Sequence, residues 1–267
     1  MTSVALFFMV IQMIRHAFCS WCHDPAPLET QAEMAVKLGY HGIDLLHPHQ
    51  ARTIAQYGLT CPVSAAPEHE SGLGGIEKAF NCSEHHATLF EIYENLIPKA
   101  AAEGIKNVIV FSGNRDGLDD QSGLENCARG LAPLLPLAEK NGITLVMEML
   151  NSKVDHPDYQ ADKTDWAVAL CDLLDAPQFK LLYDIYHMQI MEGDIIATIR
   201  KHHRHIAHYH TGGCPGRNEI DATQELQYPA IVSAIAETGY EGFLAQEFVP
   251  KGDPEKALAN ALKSCTI

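Results

Sequence analysis

Positively charged residues are scarce in this sequence. Its 267 residues include 19 Lys and Arg against 34 Asp and Glu, which gives a formal net charge of −15. Nucleic-acid backbones and anionic membrane surfaces are bound by clusters of Lys and Arg. The shortage of these residues argues against nucleic acid or a membrane as the main partner, and we expect neither.

Three other features are missing. No G-x-G-x-x-G follows an early strand candidate, which disfavours a doubly wound dinucleotide-binding sheet. The apolar stretch at residues 4–11 has no basic residue before it and is too short to span a bilayer. We therefore interpret residues 1–13 as a short N-terminal extension rather than a signal peptide. The eight cysteines are scattered and do not form a disulfide pattern, so a reducing cytoplasm is the expected location.

Short apolar runs alternate with helical segments along the whole chain, which is typical of βα units around a parallel sheet. Glycine follows the end of four helix candidates, at positions 39, 104, 142 and 239. One helix candidate is a long segment from Gly123 to Lys140. The eight strand candidates are Ile14–Phe18, Gly42–Leu46, Leu59–Ser64, Asn107–Phe111, Ile143–Glu148, Phe179–Asp184, Ile206–His210 and Gly242–Glu247.

Eight βα units without a break in composition predict a single (β/α)8 TIM barrel over residues 14–267, in the α/β class. The active site of such a barrel lies at the C-terminal ends of its strands. A doubly wound open sheet is the alternative architecture.

Four side chains that bind metals stand at the ends of the last four strand candidates. They are Glu148, Asp184, His210 and Glu247. If these strands are neighbours in one parallel sheet, the four side chains converge at one edge. Three carboxylates and one imidazole suit Mg²⁺ or Mn²⁺, with Zn²⁺ or Co²⁺ as alternatives. The pattern therefore predicts a divalent metal site and an enzyme.

Two further residues belong near this site. His187 follows Asp184 by three residues, so a turn after that strand directs it toward the same edge. Arg217 lies in the glycine-rich loop after His210, where a fixed cation can hold a substrate carboxylate or an enediolate oxygen. We predict that His187 and Arg217 bind substrate.

The sequence resembles the xylose-isomerase-like TIM-barrel superfamily, and within it the hydroxypyruvate isomerase family. The resemblance runs from about Ile14 to Leu262. It rests on the strand ends Val146–Asn151, Tyr183–His187, Ala207–His210 and Gln246–Gly252, and on Ala35–Leu45. Two positions depart from the pattern: Asp44 stands where Glu is commoner, and His210 stands where hydroxypyruvate isomerases often carry Gln. Imidazole at position 210 is closer to the ketose 3-epimerase branch.

The resemblance implies a metal held by Glu148, Asp184, His210 and Glu247, with Glu148 and Glu247 as the acid–base pair. It implies an intramolecular oxidoreductase that converts hydroxypyruvate to tartronate semialdehyde through a metal-stabilised enediolate. A small keto acid or sugar is then the partner, and the family also implies a homo-oligomer.

Several alternatives remain open at this point. A ketose or keto-sugar 3-epimerase, or a related dehydratase or lyase, uses the same site. An endonuclease-IV-like repair enzyme is disfavoured by the acidity, and a non-catalytic sugar- or metal-binding barrel would keep the ligands without turnover.

Other motifs are given structural interpretations. Cys19, Cys22 and His23 match C-x-x-C-H, but we interpret them as residues of the first βα loop, where Trp21 or His23 is a candidate substrate contact. The loop at residues 151–165 is a candidate substrate lid, and residues 68–70 are weaker site candidates. We expect the histidines at positions 202, 203 and 205 to form a solvated turn, and His208 to be a hydrogen-bonded core residue.

Overall fold

A computed structural model describes residues 14–267 of the chain. The extension predicted at residues 1–13 lies outside the described residues. The strands are β1 (Arg15–Cys19), β2 (Gly42–Asp44), β3 (Val63–Ser64), β4 (Asn107–Val110), β5 (Thr144–Glu148), β6 (Phe179–Asp184), β7 (Ile206–Thr211) and β8 (Phe243–Gln246). The helices within residues 14–267 are α1 (Leu28–Leu38), α2 (Pro48–Ala55), α3 (His86–Ala102), α4 (Asp120–Leu131), α5 (Leu135–Asn141), α6 (Thr164–Leu174), α7 (Ile185–Met191), α8 (Ile195–His202), α9 (Tyr228–Glu237) and α10 (Pro254–Cys265).

The eight strands are parallel neighbours around a nearly closed barrel. Their order is β2-β1-β8-β7-β6-β5-β4-β3, so β2 and β3 stand at its two ends. Isolated parallel bridges from Gly42 to Thr60 and from Leu46 to Ser64 join these ends. A Cβ atom at position 42 would lie 2.4 Å from the carbonyl oxygen of Thr60, so only glycine permits this approach. The prediction of a single (β/α)8 TIM barrel is confirmed.

The strand register places the predicted ligands at one level of the barrel. Glu148 pairs with Leu182 on β6, and Asp184 pairs with His210 on β7. Thr211 pairs with Gln246, the residue before Glu247. Because all strands run in the same direction, these residues meet at the C-terminal end of the barrel.

Predicted helix ends agree with the structure at the glycine positions. Gly39 ends α1 with φ 86° and Gly142 ends α5 with φ 63°. Both are left-handed conformations that cost a residue with a Cβ atom more than glycine, so each glycine stops a helix and turns the chain into the next strand.

The structure differs from the predictions in three places. The single helix predicted for residues 123–140 is two helices, α4 and α5, because Pro133 and Pro136 cannot supply backbone hydrogen bonds inside one continuous helix. A short helix that was not predicted, α7, begins directly after Asp184. The solvated turn expected before β7 is wrong for His202 and His205, which are buried and face the carboxylates of Asp165 and Asp172 at 3.4 and 3.8 Å.

None of the helices in residues 14–267 combines the length and apolar content needed to cross a membrane.

Candidate active site

Glu148, Asp184, His210 and Glu247 form one buried cluster at the C-terminal end of the barrel. One donor atom from each lies within 4.8 Å of all the others. Glu148 ends β5, Asp184 ends β6, His210 lies in β7 and Glu247 follows β8. The structure therefore brings together all four residues that the sequence predicted as metal ligands.

His210 lies at the centre of the cluster and contacts carboxylates through both ring nitrogens. Its Nδ1 atom is 3.1 Å from Glu148 Oε1 and 3.0 Å from Glu247 Oε2. Its Nε2 atom is 3.1 Å from Asp44 Oδ2. Burial opposes protonation of His210, but neighbouring charges, including that of Glu247, and the hydrogen bond to Asp44 raise its pKa well above the ordinary value, so both ring nitrogens carry hydrogen in this state. If a cation displaces the Nδ1 hydrogen while Nε2–H donates to Asp44, the Nδ1 lone pair faces the two glutamates. This arrangement of carboxylate, imidazole and metal position is common in metal sites.

Asp44 is the residue to which sequence analysis gave no role. It ends β2, is fully buried, and its Oδ2 atom also lies 2.6 Å from Nε2 of His208. Its Oδ1 atom accepts a hydrogen bond of 2.7 Å from the backbone N–H of Val63. The signal was present in the sequence, since Asp44 ends a strand as Glu148 and Asp184 do. His208 is buried and hydrogen-bonded to Asp44, as the sequence predicted.

Arg217 reaches the cluster from the loop after β7. Its guanidinium lies 2.5 Å from Glu247 Oε2 and 3.5 Å from Asp184 Oδ2. Trp21 Nε1–H donates to the other oxygen of Glu247 at 2.8 Å, and the guanidinium lies 5.1 Å from the Trp21 ring centroid. Arg217 and Trp21 together fix the orientation of the Glu247 carboxylate.

His187 is fully buried on α7 beside Asp184. Asp184 Oδ1 accepts from the backbone N–H groups of Tyr186 and His187 at 2.8 and 3.2 Å, so the start of α7 holds this carboxylate. The backbone N–H of Asn151 and its Nδ2 lie 3.2 and 2.6 Å from Nδ1 of His187. Two donors at Nδ1 require the ring hydrogen to be on Nε2. The Nε2 atom has no hydrogen-bond partner among the described residues, and it lies 3.6 Å from Asp184 Oδ2.

The carboxyl groups of the cluster differ in the direction of their pKa shifts: those of Glu148 and Asp184 are raised, and that of Glu247 is lowered. Burial, reinforced by neighbouring carboxylates, raises the pKa of Glu148 and that of Asp184. Burial also opposes ionisation of Glu247, but the charges of Arg217 and His210 outweigh it and hold the pKa of Glu247 well below its ordinary value. Burial lowers the pKa of His187 well below its ordinary range, so this imidazole is neutral.

The residues present fit a divalent cation. Donors bound to one Mg²⁺ at about 2.1 Å lie no more than about 4.2 Å apart, so the four donor atoms need only a small inward movement. Burial raises the pKa values of Glu148 and Asp184, so ionising these two carboxyl groups inside the barrel costs free energy that a bound cation would offset. Glu148, Asp184, His210 and Glu247 are therefore the candidate ligands.

A cavity of about 700 Å³ opens beside the cluster. Glu148, Glu247 and Arg217 line it on the side of β5 to β8. The loops after β1, β2 and β3 also line it: Trp21, after β1, contacts Glu247, and Glu68 follows β3. This volume lies in the range of about 300–1,000 Å³ that is usual for small-molecule sites.

The remaining candidates have mixed outcomes. All eight cysteines are free, and Cys19 and Cys22 are buried, with Cys19 Sγ 3.8 Å from His210 Nε2. Trp21 lines the cavity, whereas His23 packs edge-on against Phe18. Of residues 68–70, Glu68 lines the cavity and His69 is exposed next to Ser71. From the candidate lid, His156 lines the cavity.

Buried carboxylates and an imidazole at the strand ends of a closed barrel define an enzyme-type TIM barrel with a candidate metal centre. Residues 32–265 match the family model described as xylose isomerase-like TIM barrel. The chain belongs to the xylose isomerase-like TIM-barrel family.

Similar proteins carry isomerase names. A human protein named "Putative hydroxypyruvate isomerase" is 31% identical over 252 residues, which cover 87% of each chain. The 2-oxo-tetronate isomerase of Cupriavidus necator is 31% identical over 121 residues, 45% of this chain and 46% of that one. The hydroxypyruvate isomerase of Escherichia coli is 32% identical over 119 residues, 45% of each chain. The predicted resemblance and the prediction of an isomerase-class enzyme are confirmed.

Solved structures share the fold. A Brucella melitensis structure described as an AP endonuclease of family 2 has a TM-score of 0.85 at 25% identity and covers 94% of this chain and 99% of its own. A D-psicose 3-epimerase structure has a TM-score of 0.75 at 15% identity and covers 94% of this chain and 99% of its own. The second likeness concerns the fold alone.

Proposed function

We propose that this protein is a metal-dependent isomerase of a small hydroxy-keto acid, with hydroxypyruvate to tartronate semialdehyde as the first reaction to test. The observation that carries the proposal is the position of the two glutamates. Glu148 and Glu247 come from β5 and β8, lie 3.1 and 3.0 Å from the same nitrogen of His210, and both line the cavity. Two carboxylates that meet one cavity from different strands can serve as base and acid on one substrate.

The reaction moves one hydrogen between adjacent carbon atoms. One glutamate removes a proton from the carbon that bears the hydroxyl group, and the C–H electron pair forms the carbon–carbon double bond of an enediolate. A proton is then delivered to the neighbouring carbon, which had been the carbonyl carbon. The proton of the original hydroxyl group passes to the former carbonyl oxygen, so the product is an isomer of the substrate. When bound, a divalent cation supplies Lewis-acid polarisation of the adjacent carbonyl and hydroxyl oxygens.

Arg217 lines the cavity of the proposed substrate site, whereas His187 is buried beside Asp184 and does not line it. The unpartnered Nε2–H of His187 is a buried donor suited to a substrate oxygen, because a buried donor without a partner is costly. The guanidinium of Arg217 holds Glu247 and offers its remaining N–H groups to a carboxylate or an enediolate oxygen. We keep keto acids as the leading substrates because similar proteins are named for hydroxypyruvate and 2-oxo-tetronate.

The acid–base proposal is tested by the variants Glu148→Gln and Glu247→Gln. Each keeps the shape of the side chain and removes its ability to take a proton, so we expect kcat to fall at least about 10²-fold. The measurement is isomerisation of hydroxypyruvate in deuterated water, with mass spectrometry to follow exchange at carbon.

Glu241→Gln is the matched control, since Glu241 is exposed and precedes β8 at the opposite end of the barrel. Circular dichroism verifies that each variant folds. Full activity in both cavity variants would rule out the proposed pair.

A second candidate function is a ketose 3-epimerase, and His210 is the observation that favours it. The same two glutamates would remove and return a proton at one carbon from opposite faces. Parallel assays with hydroxypyruvate and with free ketoses separate the two functions. A nucleic-acid substrate is disfavoured, because Arg217 is the only Lys or Arg among the described residues that line the cavity.

A further inference from the structure

A thiol lies beside the cluster of Glu148, Asp184, His210 and Glu247 and has no part in the proposed chemistry. Cys19 ends β1, and its side chain is fully buried. Its Sγ atom lies 3.8 Å from Nε2 of His210, and one donor atom from each of Cys19, His210 and Glu247 lies within 4.8 Å of the other two. Cys19 therefore belongs to a second group of potential ligands, which shares two members with the four-residue cluster.

This second group differs from the four-residue cluster in the chemistry of its donors. It offers one sulfur, one imidazole and one carboxylate, whereas the four-residue cluster offers three carboxylates and one imidazole. Thiolate and imidazole ligands suit Zn²⁺, while carboxylates suit Mg²⁺ or Mn²⁺. Three protein ligands drawn from Cys, His and carboxylate residues, with one open position, form an arrangement that Zn²⁺ uses in proteins.

The separation between Cys19 Sγ and His210 Nε2 suits a single tetrahedral ion. With Zn–S and Zn–N bonds of about 2.3 and 2.1 Å, a tetrahedral ion holds its sulfur and nitrogen ligands about 3.6 Å apart. The observed distance of 3.8 Å needs only a small adjustment. An ion bound there takes the place of the hydrogen on Nε2 and of the thiol hydrogen, and both leave to solvent as protons.

The two ligand groups approach His210 from opposite nitrogens of its ring. Glu148 and Glu247 face Nδ1, whereas Cys19 faces Nε2. Glu247 belongs to both groups, and two divalent cations on either side of one imidazole repel each other. An ion held in one position therefore weakens binding in the other.

We infer that Cys19, His210 and Glu247 form a thiophilic metal site, which takes Zn²⁺ or Cd²⁺ in competition with the ion of the four-residue cluster. The inference concerns metal binding and holds whichever substrate the cavity takes. An ion held through Cys19 draws His210 and Glu247 away from Glu148 and Asp184. Excess Zn²⁺ is therefore expected to inhibit any activity that depends on the four-residue cluster.

Cd²⁺ is the probe, because a thiolate bound to Cd²⁺ gives an ultraviolet charge-transfer band that carboxylate and imidazole ligands do not give. Every protein in the series carries Cys82→Ser, since Cys82 is the one cysteine of the eight that is not buried. Titration of chelator-stripped protein with Cd²⁺ measures the band and the affinity. We expect Cys19→Ser to abolish the band and to weaken Cd²⁺ binding at least about tenfold, the lower end of the effect of losing a group that supports a metal ligand.

Two further variants separate the thiophilic site from its surroundings. Cys22→Ser is the matched control, because Cys22 is buried three residues away and belongs to no ligand group among the described residues, so it should keep the band. Asp184→Asn alters the four-residue cluster alone. It should weaken Mn²⁺ binding and keep the Cd²⁺ band, whereas Cys19→Ser should keep the Mn²⁺ affinity. Circular dichroism verifies folding, and Cys19→Ala replaces Cys19→Ser if the serine variant does not fold.

Competition between the two metals tests the shared ligands. We expect saturating Mn²⁺ to raise the apparent Kd for Cd²⁺ in the Cys82→Ser protein. Cd²⁺ binding that is indifferent to Mn²⁺ would show that the two groups do not compete and would overturn the inference. A Cys82→Ser protein without a charge-transfer band, a band that survives loss of the Cys19 thiol, or a band lost in Cys22→Ser would also overturn it. None of these measurements uses a substrate, so they decide the site whether or not any keto acid is isomerised.

Discussion

Asp44 determines which nitrogen of His210 faces the carboxylate cluster. Its Oδ2 atom lies 3.1 Å from Nε2 of His210 and 2.6 Å from Nε2 of His208, and all three side chains are buried. The carboxylate can accept a hydrogen bond from both rings. Asp44 therefore acts on the candidate metal site through His210, as a positioning residue.

We predict that Asp44→Asn weakens metal binding by about 10- to 100-fold, the usual effect of losing a carboxylate behind a ligating histidine. The amide offers one acceptor oxygen without charge, so His210 is held less firmly. Titration of Mn²⁺ against a chromophoric chelator measures the affinity. Thermal unfolding of the metal-free variant reports any separate loss of fold, and a folded variant with wild-type affinity would contradict the prediction.

Among individual residues, the sequence predicted the four candidate ligands that end strands. It missed Asp44, which orients one of these ligands, His210. Glu148, Asp184, His210 and Glu247 were found because each terminates an apolar run, a pattern that depends on local sequence. The contact between Asp44 and His210 joins residues on β2 and β7. It depends on the closure of the barrel, which no local pattern encodes.

The loop after β5 controls the orientation of a residue on α7. Asn151 directs its backbone N–H and its Nδ2 at Nδ1 of His187, and its Oδ1 accepts from the backbone N–H groups of Val154 and Asp155 at 3.0 and 2.9 Å. One side chain thus folds the candidate lid and selects the His187 tautomer. The two elements are coupled through a single asparagine.

We predict that Asn151→Asp lowers kcat/KM by about 10- to 100-fold, equivalent to losing a hydrogen bond of about 1–3 kcal/mol. The variant keeps the acceptor for Val154 and Asp155 but replaces the donor to His187 with an acceptor. The new carboxylate favours a ring hydrogen on Nδ1, although the backbone N–H of residue 151 still points there, and with that hydrogen on Nδ1 the Nε2 atom loses the donor role that we propose for it. Nitrogen NMR of labelled histidine reports the tautomer beside the kinetics.

Asp155 complicates this variant, because its Oδ2 atom lies 2.6 Å from Asn151 Nδ2 and would face a second carboxylate. The double variant Asn151→Asp with Asp155→Asn removes that repulsion. It should restore the stability of the loop and leave kcat/KM low. Recovery of kcat/KM in the double variant would show that loop folding, rather than the His187 tautomer, accounts for the loss.

Helix α7 shows why elements near the site were harder to predict than those away from it. The sequence predicted where α1 and α5 end, because Gly39 and Gly142 follow their last residues. Helix α7 has seven residues and begins at the candidate ligand Asp184 without a loop between. A helix this short is stabilised by the side chain that caps it and by packing, so its own sequence gives a weak signal.

The barrel of this acidic protein brings three carboxyl groups together at its C-terminal end. Three carboxylates of the cluster are buried against Arg217, and the chain has a formal net charge of −15. Barrel closure buries these groups, and burial raises the pKa values of Glu148 and Asp184, so ionising them costs free energy. A bound divalent cation should offset that cost and stabilise the whole barrel.

We predict that Mg²⁺, Mn²⁺, Zn²⁺ or Co²⁺ raises the unfolding temperature of protein stripped with a chelator. Free metal at 100 times its Kd contributes about 2.7 kcal/mol, which for a domain of this size corresponds to a rise of roughly 5–10 °C. Differential scanning calorimetry across the four metals measures the shift and ranks them.

Asp184→Asn is the informative variant, because asparagine can still cap α7 while one buried charge is lost. Its metal-free form should unfold at a higher temperature than the metal-free wild type, and its shift on adding metal should be smaller. Equal unfolding temperatures with and without every metal would show that the cluster does not bind a cation, and that its buried carboxylates are balanced within the protein by Arg217 and His210.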